Sequence, residues 1–136
     1  MSPPETIYLI DTNIILRYLL DDHLEFSPKA LQFMTEISNA EKKAEILDVV
    51  VLECIYVMEK FYKIPRDAIA DRLSRILSFG GIINSNKAIL VSALLTYQKL
   101  PIDFVDCLLN AYSCQDKVVV SFDRDFRVLK GCWENI

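Results

Sequence analysis

The sequence carries a single histidine, His23, only three glycines, and no C-x-x-C pair among its four cysteines in 136 residues. One histidine excludes an acid–base site built on two imidazoles. With Cys54, Cys107, Cys114 and Cys132 scattered, no zinc-ligand spacing exists. These cysteines read as reduced core residues of a cytosolic protein. Three glycines exclude low-complexity sequence, so disorder is expected at most in the opening segment, residues 1–5 of "MSPPET". The apolar run "AILVSALLTY" has ten residues, against the ~20 that a bilayer span needs. No basic stretch leads into an apolar one at the N-terminus, so no signal peptide is expected and the protein is placed in the cytoplasm. A basic excess is missing too, with 15 Lys plus Arg against 19 Asp plus Glu and a net charge of −4. Composition therefore does not advertise a nucleic-acid partner. It does not exclude one either, provided that some acids bind divalent cations.

What is present is a hydrophobic content of 52%, enough for one compact domain over residues 1–136. "TIYLI" is short, β-branched and apolar, and reads as a buried strand that ends at Asp11. "TNIILRYLL" continues as a helix. "SPKALQFMTEISNAEKK" is an amphipathic helix with Ser27 expected at N-cap and Pro28 at N1. "AEIL" reads as a second strand, with Asp48 placed to cap the helix "VVVLECIYVMEKFYK". Then come the amphipathic helix "RDAIADRLSRILSF", a third short strand "GIIN", and the apolar, hence central, helix "KAILVSALLTYQK". The helix "DFVDCLLNAYSCQD" and a last buried strand, "KVVVSFD", complete the pattern. Apolar strands alternating with helices indicate an α/β domain with a parallel sheet covered by helices.

Four acids stand out against this background. In open parallel sheets, ligands sit beyond the carboxyl ends of the strands. Asp11 and Asp123 both follow a strand there. Each is also well placed merely to cap the next helix. Glu53 has apolar residues on both sides, and its helical neighbours Val49, Val50, Tyr56 and Val57 carry no charge. A buried, unpaired carboxylate costs several kcal/mol, so Glu53 requires either a structural ion pair or a cation. Asp103, Asp106, Asn110 and Ser113 form a stripe at i, i+3, i+7 and i+10. Its short polar side chains, without Lys or Arg, suit a cleft holding a cation better than a solvated face. Oxygen-only donors and no nearby histidine indicate a hard ion, Mg²⁺ or Mn²⁺. Such an ion polarises a phosphoryl oxygen and activates water, which is the chemistry of phosphodiester hydrolysis.

Taken in order, "YLIDTNIILRYLLDD", "VVVLECIYVMEKFY", "LPIDFVDCLLNAYS" and "VVVSFDRDF" resemble the PIN-domain family, most closely its VapC-type ribonuclease toxins of toxin–antitoxin systems. The resemblance implies a single-domain, three-layer α/β/α fold around a short parallel sheet, and Mg²⁺- or Mn²⁺-dependent endoribonuclease activity. It implies Asp11, Glu53, Asp106 and Asp123 as the catalytic, metal-binding acids, with Asp11 and Asp106 as direct ligands. Glu53 and Asp123 would complete the site or bridge through water. Thr12 or Asn13 would orient a ligand or water. Asp103 and Asp125 are accessory acids beside Asp106 and Asp123. Arg17, Arg124 and Arg127 are candidates for contacts to flanking phosphates, and solvated surface charge is an equally good account of them. Cys107 stands where the family often has alanine. The implied partners are an RNA substrate, a separate small antitoxin and a second copy of the chain in a homodimer, with no membrane.

Three other classes compete; of these, a DNA or flap nuclease on a related fold would want more acids and a longer chain with substrate-clamping insertions than 136 residues offer. A receiver domain needs an acidic pair after its first strand and a lysine after its last, and both are missing. A PIN-like module that binds without cleaving remains the alternative; metal-dependent cleavage by the purified chain discriminates it.

Overall fold

In the computed structural model, residues 6–136 are described. The opening segment 1–5, expected to be disordered, lies outside them. The order of elements is β1 (Ile7–Leu9), α1 (Thr12–Leu20), α2 (Phe26–Ser38), β2 (Lys43–Glu45), α3 (Asp48–Lys60), α4 (Arg66–Leu77), α5 (Lys87–Lys99), α6 (Phe104–Tyr112), β3 (Val119–Ser121), α7 (Phe126–Leu129) and β4 (Trp133–Asn135). Helices dominate, and every paired strand runs parallel to its neighbour. The α/β class expected from the alternation of strands and helices is thus the observed one.

The β structure is divided into two pairs. β1 lies against β2, with Tyr8 opposite Ala44, and the α1–α2 hairpin supplies the crossover. β3 lies against β4, with Val120 opposite Glu134, connected through α7. β4, "WEN", was not anticipated. The expected third strand, "GIIN", contributes one parallel bridge, Ala44 to Ile82, made by Ala44 N–H to Gly81 O (2.8 Å) and Ile83 N–H to Ala44 O (2.9 Å). Among the described residues the two pairs share no ladder. Apolar side chains of β1, of β3 and of the residue after β3 are exposed: Leu9 at 65%, Val120 at 60% and Phe122 at 80%. Continuous apolar runs had suggested strands buried on both faces, and these are buried on fewer.

The helices follow their sequence periodicity more closely. α4 buries Ile69, Ala70, Leu73, Ile76 and Leu77, one stripe at helical spacing. α2 buries Ala30, Met34 and Ile37, while Leu31 of the same helix is exposed. α5 buries Leu90, Ala93, Leu94 and Tyr97 and is central as expected. These residues join Ile15, Met58 and Ile82 in one contiguous core.

Ser27 is not the cap of α2. The helix starts two residues earlier, at Phe26, and His23 Nδ1 accepts hydrogen bonds from Glu25 N–H (3.2 Å) and Phe26 N–H (2.9 Å). Ser27 Oγ instead accepts from His23 N–H at 3.1 Å. Pro28 thus sits within the first turn, where a missing N–H is not felt. Gly81 marks a close approach. A Cβ there would meet Lys42 O at 2.1 Å and Ile37 O at 2.6 Å, so only glycine lets this segment reach β2 and α2.

Of the cysteines, Cys54 and Cys107 are buried, Cys132 is half-buried and Cys114 is exposed. All four are free thiols, but only two belong to the core. No helix among the described residues is long and apolar enough to cross a membrane.

Candidate metal centre

Asp11 ends the extended segment after β1 and is the N-cap of α1, its Oδ1 accepting from Thr12 N–H at 2.9 Å. The capping reading of this residue is therefore correct, and its second oxygen has no hydrogen-bond donor among the described residues. Thr12 is buried, and its Oγ1 is the one fully buried side-chain polar atom among the described residues without a partner. A hydroxyl in that state requires a water or ligand. Asn13, on the first turn of α1, lines a cavity of about 490 Å³ with Ile14, Arg17, His23 and Phe26.

Glu53 corrects the expectation of a buried carboxylate. α3 buries Val51, Cys54, Ile55 and Met58, and Glu53 lies on the exposed side with Leu52 and Tyr56. Its apolar sequence neighbours hid this, because the helix leaves several of them exposed as well. Burial, with Glu53 and Asp11 adding their charges, pushes the Cys54 thiol up to about 12. The two acids thus both act on one buried sulfur, which stays protonated and unreactive.

The second group centres on Asp106, half-buried in the first turn of α6. Its pKa is raised, chiefly by burial and then by the charges of Asp123, Asp103 and Asp125. Asp103 occupies the N-cap position of α6 without making a capping bond. Asp123 Oδ1 accepts from Asp125 N–H (2.8 Å), and Asp123 N–H donates to Ser121 Oγ (2.9 Å), which holds the turn after β3. Asp123, Asp125, Arg124 and Arg127 are exposed. The described ion pairs involve other residues, so no Lys or Arg neutralises Asp11, Glu53, Asp103, Asp106, Asp123 or Asp125. Arg17 is held elsewhere, with Nη1 at 2.6 Å from Asp22 and Nη2 at 3.5 Å from Tyr62 Oη.

Asp11 and Glu53 both act on Cys54, and Asp103, Asp123 and Asp125 all act on Asp106. Among the described residues no three acids converge closely enough to enclose one ion. The donor chemistry nevertheless fits Mg²⁺ or Mn²⁺, because such ions take one or two carboxylates and keep water or phosphate oxygens for the rest. The raised pKa of Asp106 points the same way, since uncompensated carboxylates accumulate there.

That shift has a testable sign. The folded-state value lies above the unfolded one, so this group's contribution to stability is full below the unfolded value and lost as pH rises through the folded value. At neutral pH Asp106→Asn, which cannot ionise, should raise the melting temperature of the metal-free protein. Mg²⁺ should raise that of the wild type more than that of the variant. Thermal melts at pH 7 in EDTA and in Mg²⁺ measure both; a lower metal-free melting temperature for the variant would sink the argument.

The polar stripe on α6 divides in two. Asp103 and Asp106 join the acids, whereas Ser113 Oγ donates to Asn110 O (2.7 Å) and accepts from Cys132 N–H (3.0 Å). A Cβ at Gly131 would meet Asn110 Oδ1 at 2.2 Å. The C-terminal half of the stripe therefore anchors the segment leading to β4.

One polar network was missed. Asp48 does not cap α3 but accepts from Asn86 Nδ2 (2.7 Å) and Tyr112 Oη (2.7 Å). Asn84 exchanges hydrogen bonds with the backbone of Ile46 through Oδ1 (2.9 Å) and Nδ2 (2.7 Å). Together these residues tie the end of β2 to α5 and α6. The signal available was the polar cluster "NSN" directly after the third apolar segment.

The fold agrees with what this chain is similar to. A family model described as "PIN domain" matches residues 8–131, and the chain belongs to that family. A protein named VapC ribonuclease from Aquifex aeolicus (strain VF5) is 31% identical over 123 residues, covering 89% of this chain and 90% of the relative.

Proposed function

We propose that this protein is a Mg²⁺- or Mn²⁺-dependent endoribonuclease, the toxin component of a toxin–antitoxin pair. The observation that carries this reading is the half-buried Asp106, its pKa raised in company with Asp103, Asp123 and Asp125, in a chain similar over most of its length to a VapC ribonuclease. Asp11 and Asp106 are the residues that would hold the ion, with Glu53 and Asp123 completing the site directly or through water. When bound, the ion would polarise a phosphoryl oxygen of the substrate and lower the pKa of a water.

The chain's own residues set the remaining requirements. Thr12 Oγ1 and Asn13 orient a water or ligand beside Asp11. Arg124 and Arg127, flanking Asp125 and free of ion pairs among the described residues, are the better placed to contact phosphates. Arg17, engaged by Asp22 and Tyr62, is the weaker candidate. Attack by water requires no 2′-hydroxyl nucleophile, in keeping with the lone histidine. Such a nuclease acts in the cytoplasm, as a homodimer, and is restrained by a separate small antitoxin.

End-group analysis of the RNA products tests the reaction type. Hydrolysis by water leaves a 5′-phosphate and a 3′-hydroxyl; a 2′,3′-cyclic phosphate would contradict it. The second reading is a PIN-like module that binds without cleaving. It is favoured by the lack of three converging acids among the described residues, and it requires that no RNA be cut.

A further inference from the structure

A second cavity, of about 320 Å³, opens between α3 and the start of α6. That is the lower end of the ~300–1,000 Å³ of small-ligand pockets. Asp106 and Asp103 form one wall, Phe104 and Ile55 supply buried apolar surface, and Tyr56 and Lys60 stand on the α3 side. Neither Tyr56 nor Asp103 has a task in holding the fold. Tyr56 is 55% exposed, and among the described residues its ring packs only against Phe61, in a T-shaped pair with centroids 6.1 Å apart. The carboxylate of Asp103 neither caps α6 nor pairs with a base. The other acid of the pocket, Glu59, is occupied by Tyr97 Oη and by Lys60 Nζ at 3.6 Å.

We infer that this cavity is a guanine subsite for the nucleotide beside the phosphate that is cleaved. The inference rests on the ribonuclease reading above. Tyr56 supplies the aromatic face on which an unpaired base stacks, as single-stranded RNA recognition requires. Asp103 supplies two acceptor oxygens. Guanine offers adjacent donors, N1–H and N2–H, on its Watson–Crick edge, matching a carboxylate. Adenine and cytosine set one donor group beside an acceptor, and uracil sets its N–H between two acceptors, so each brings a lone pair against Asp103. An arginine from a protein partner presents a similar pair of donors. Lys60 is paired with Glu59 at 3.6 Å and does not exclude that cation, but the apolar walls of Ile55 and Phe104 and the Tyr56 ring suit a neutral planar base better. Asp103 is thereby a specificity residue and not a further metal ligand.

Cleavage mapping on an RNA of random sequence, with the full chain in Mg²⁺, should show guanine at one fixed position next to the cut. Asp103→Asn should lower the rate at guanine sites to that at other bases, a loss of about tenfold or more in the ratio. Inosine, which lacks the N2 amine, should give an intermediate rate with the wild type. Tyr56→Ala should raise KM at every site while leaving the guanine ratio in place. Cuts with no base preference, or a ratio unmoved by Asp103→Asn, would overturn the inference and leave the ribonuclease reading intact. If nothing is cut, binding of labelled pentanucleotides decides, measured by fluorescence polarisation in an Asp11→Asn background. Guanine-containing strands binding about tenfold more tightly, with the difference removed by adding Asp103→Asn, would uphold the subsite while the nuclease reading fails. Equal binding of all strands, with or without competition by an arginine peptide, would overturn it.

Discussion

Asp106→Asn should lower the rate of metal-dependent RNA cleavage by at least about 100-fold. Stabilisation of charge at the reacting phosphate is worth several kcal/mol, and each 1.36 kcal/mol is a factor of ten in rate. Asp106 is the acid whose ionisation is most clearly held back by its surroundings, through burial and then Asp123, Asp103 and Asp125. Removing its charge removes a proposed direct ligand without enlarging or emptying the core, because the amide has nearly the same shape. Asp11→Asn should have a comparable effect, and the double variant should be little worse than either single one, since residues acting as a unit are not additive. Single-turnover rates on one labelled RNA measure all three. A double variant slower than either by the product of their effects would show that the two acids serve separate purposes.

Arg66→Met should destabilise the fold by about 3 kcal/mol, from the ~1–3 kcal/mol cost of each buried acceptor left without a donor. Arg66 opens α4, and its guanidinium lies 3.7 Å from the centre of the Tyr97 ring. Nε donates to Tyr97 O at 3.1 Å, and Nη2 donates to Leu100 O at 3.0 Å and to Ile102 O. One side chain therefore serves three carbonyls at the end of α5 and in the turn that leads to Asp103. Arg66→Lys should recover less than half of the loss, because an ammonium cannot reproduce the planar fork or its stacking on Tyr97. Urea unfolding midpoints measure both variants. Full recovery by lysine would show that charge and not geometry matters at this position.

The sequence was readable where one side chain's burial follows from periodicity. The stripe Ile69, Leu73, Ile76, Leu77 on α4 and the apolar α5 are cases in which the 3.6-residue repeat determines what faces the core. It was less readable where an outcome depends on distant partners. "VVVSF" and "TIYLI" look alike as buried strands, yet whether Leu9 and Val120 are covered depends on which edges pair, which no local pattern records. β4 is three residues of mixed polarity whose identity as a strand comes only from its ladder with β3. His23 displaced Ser27 as the cap of α2 because an imidazole reached two backbone N–H groups from outside the expected start.

The candidate site divides along similar lines. Asp11 and Asp123 were identifiable from their places after strands. Glu53 was singled out on an argument from burial that the exposed side of α3 removes, so its standing rests on its place near Asp11 and Cys54. Asn110 and Ser113 shared the periodicity of Asp103 and Asp106 but serve packing at Gly131 and Cys132. Helical spacing reports a shared face. It does not report what that face meets along its length.

The proposed metal-dependent ribonuclease site stands or falls on RNA cleavage itself. The most direct measurement is cleavage of an end-labelled structured RNA by the purified wild-type chain in Mg²⁺, in Mn²⁺ and in EDTA. The account predicts discrete cuts with either ion and none in EDTA. Cutting at an undiminished rate in EDTA, or an intact RNA in all three across a panel of tRNA, ribosomal RNA and messenger RNA, would contradict it.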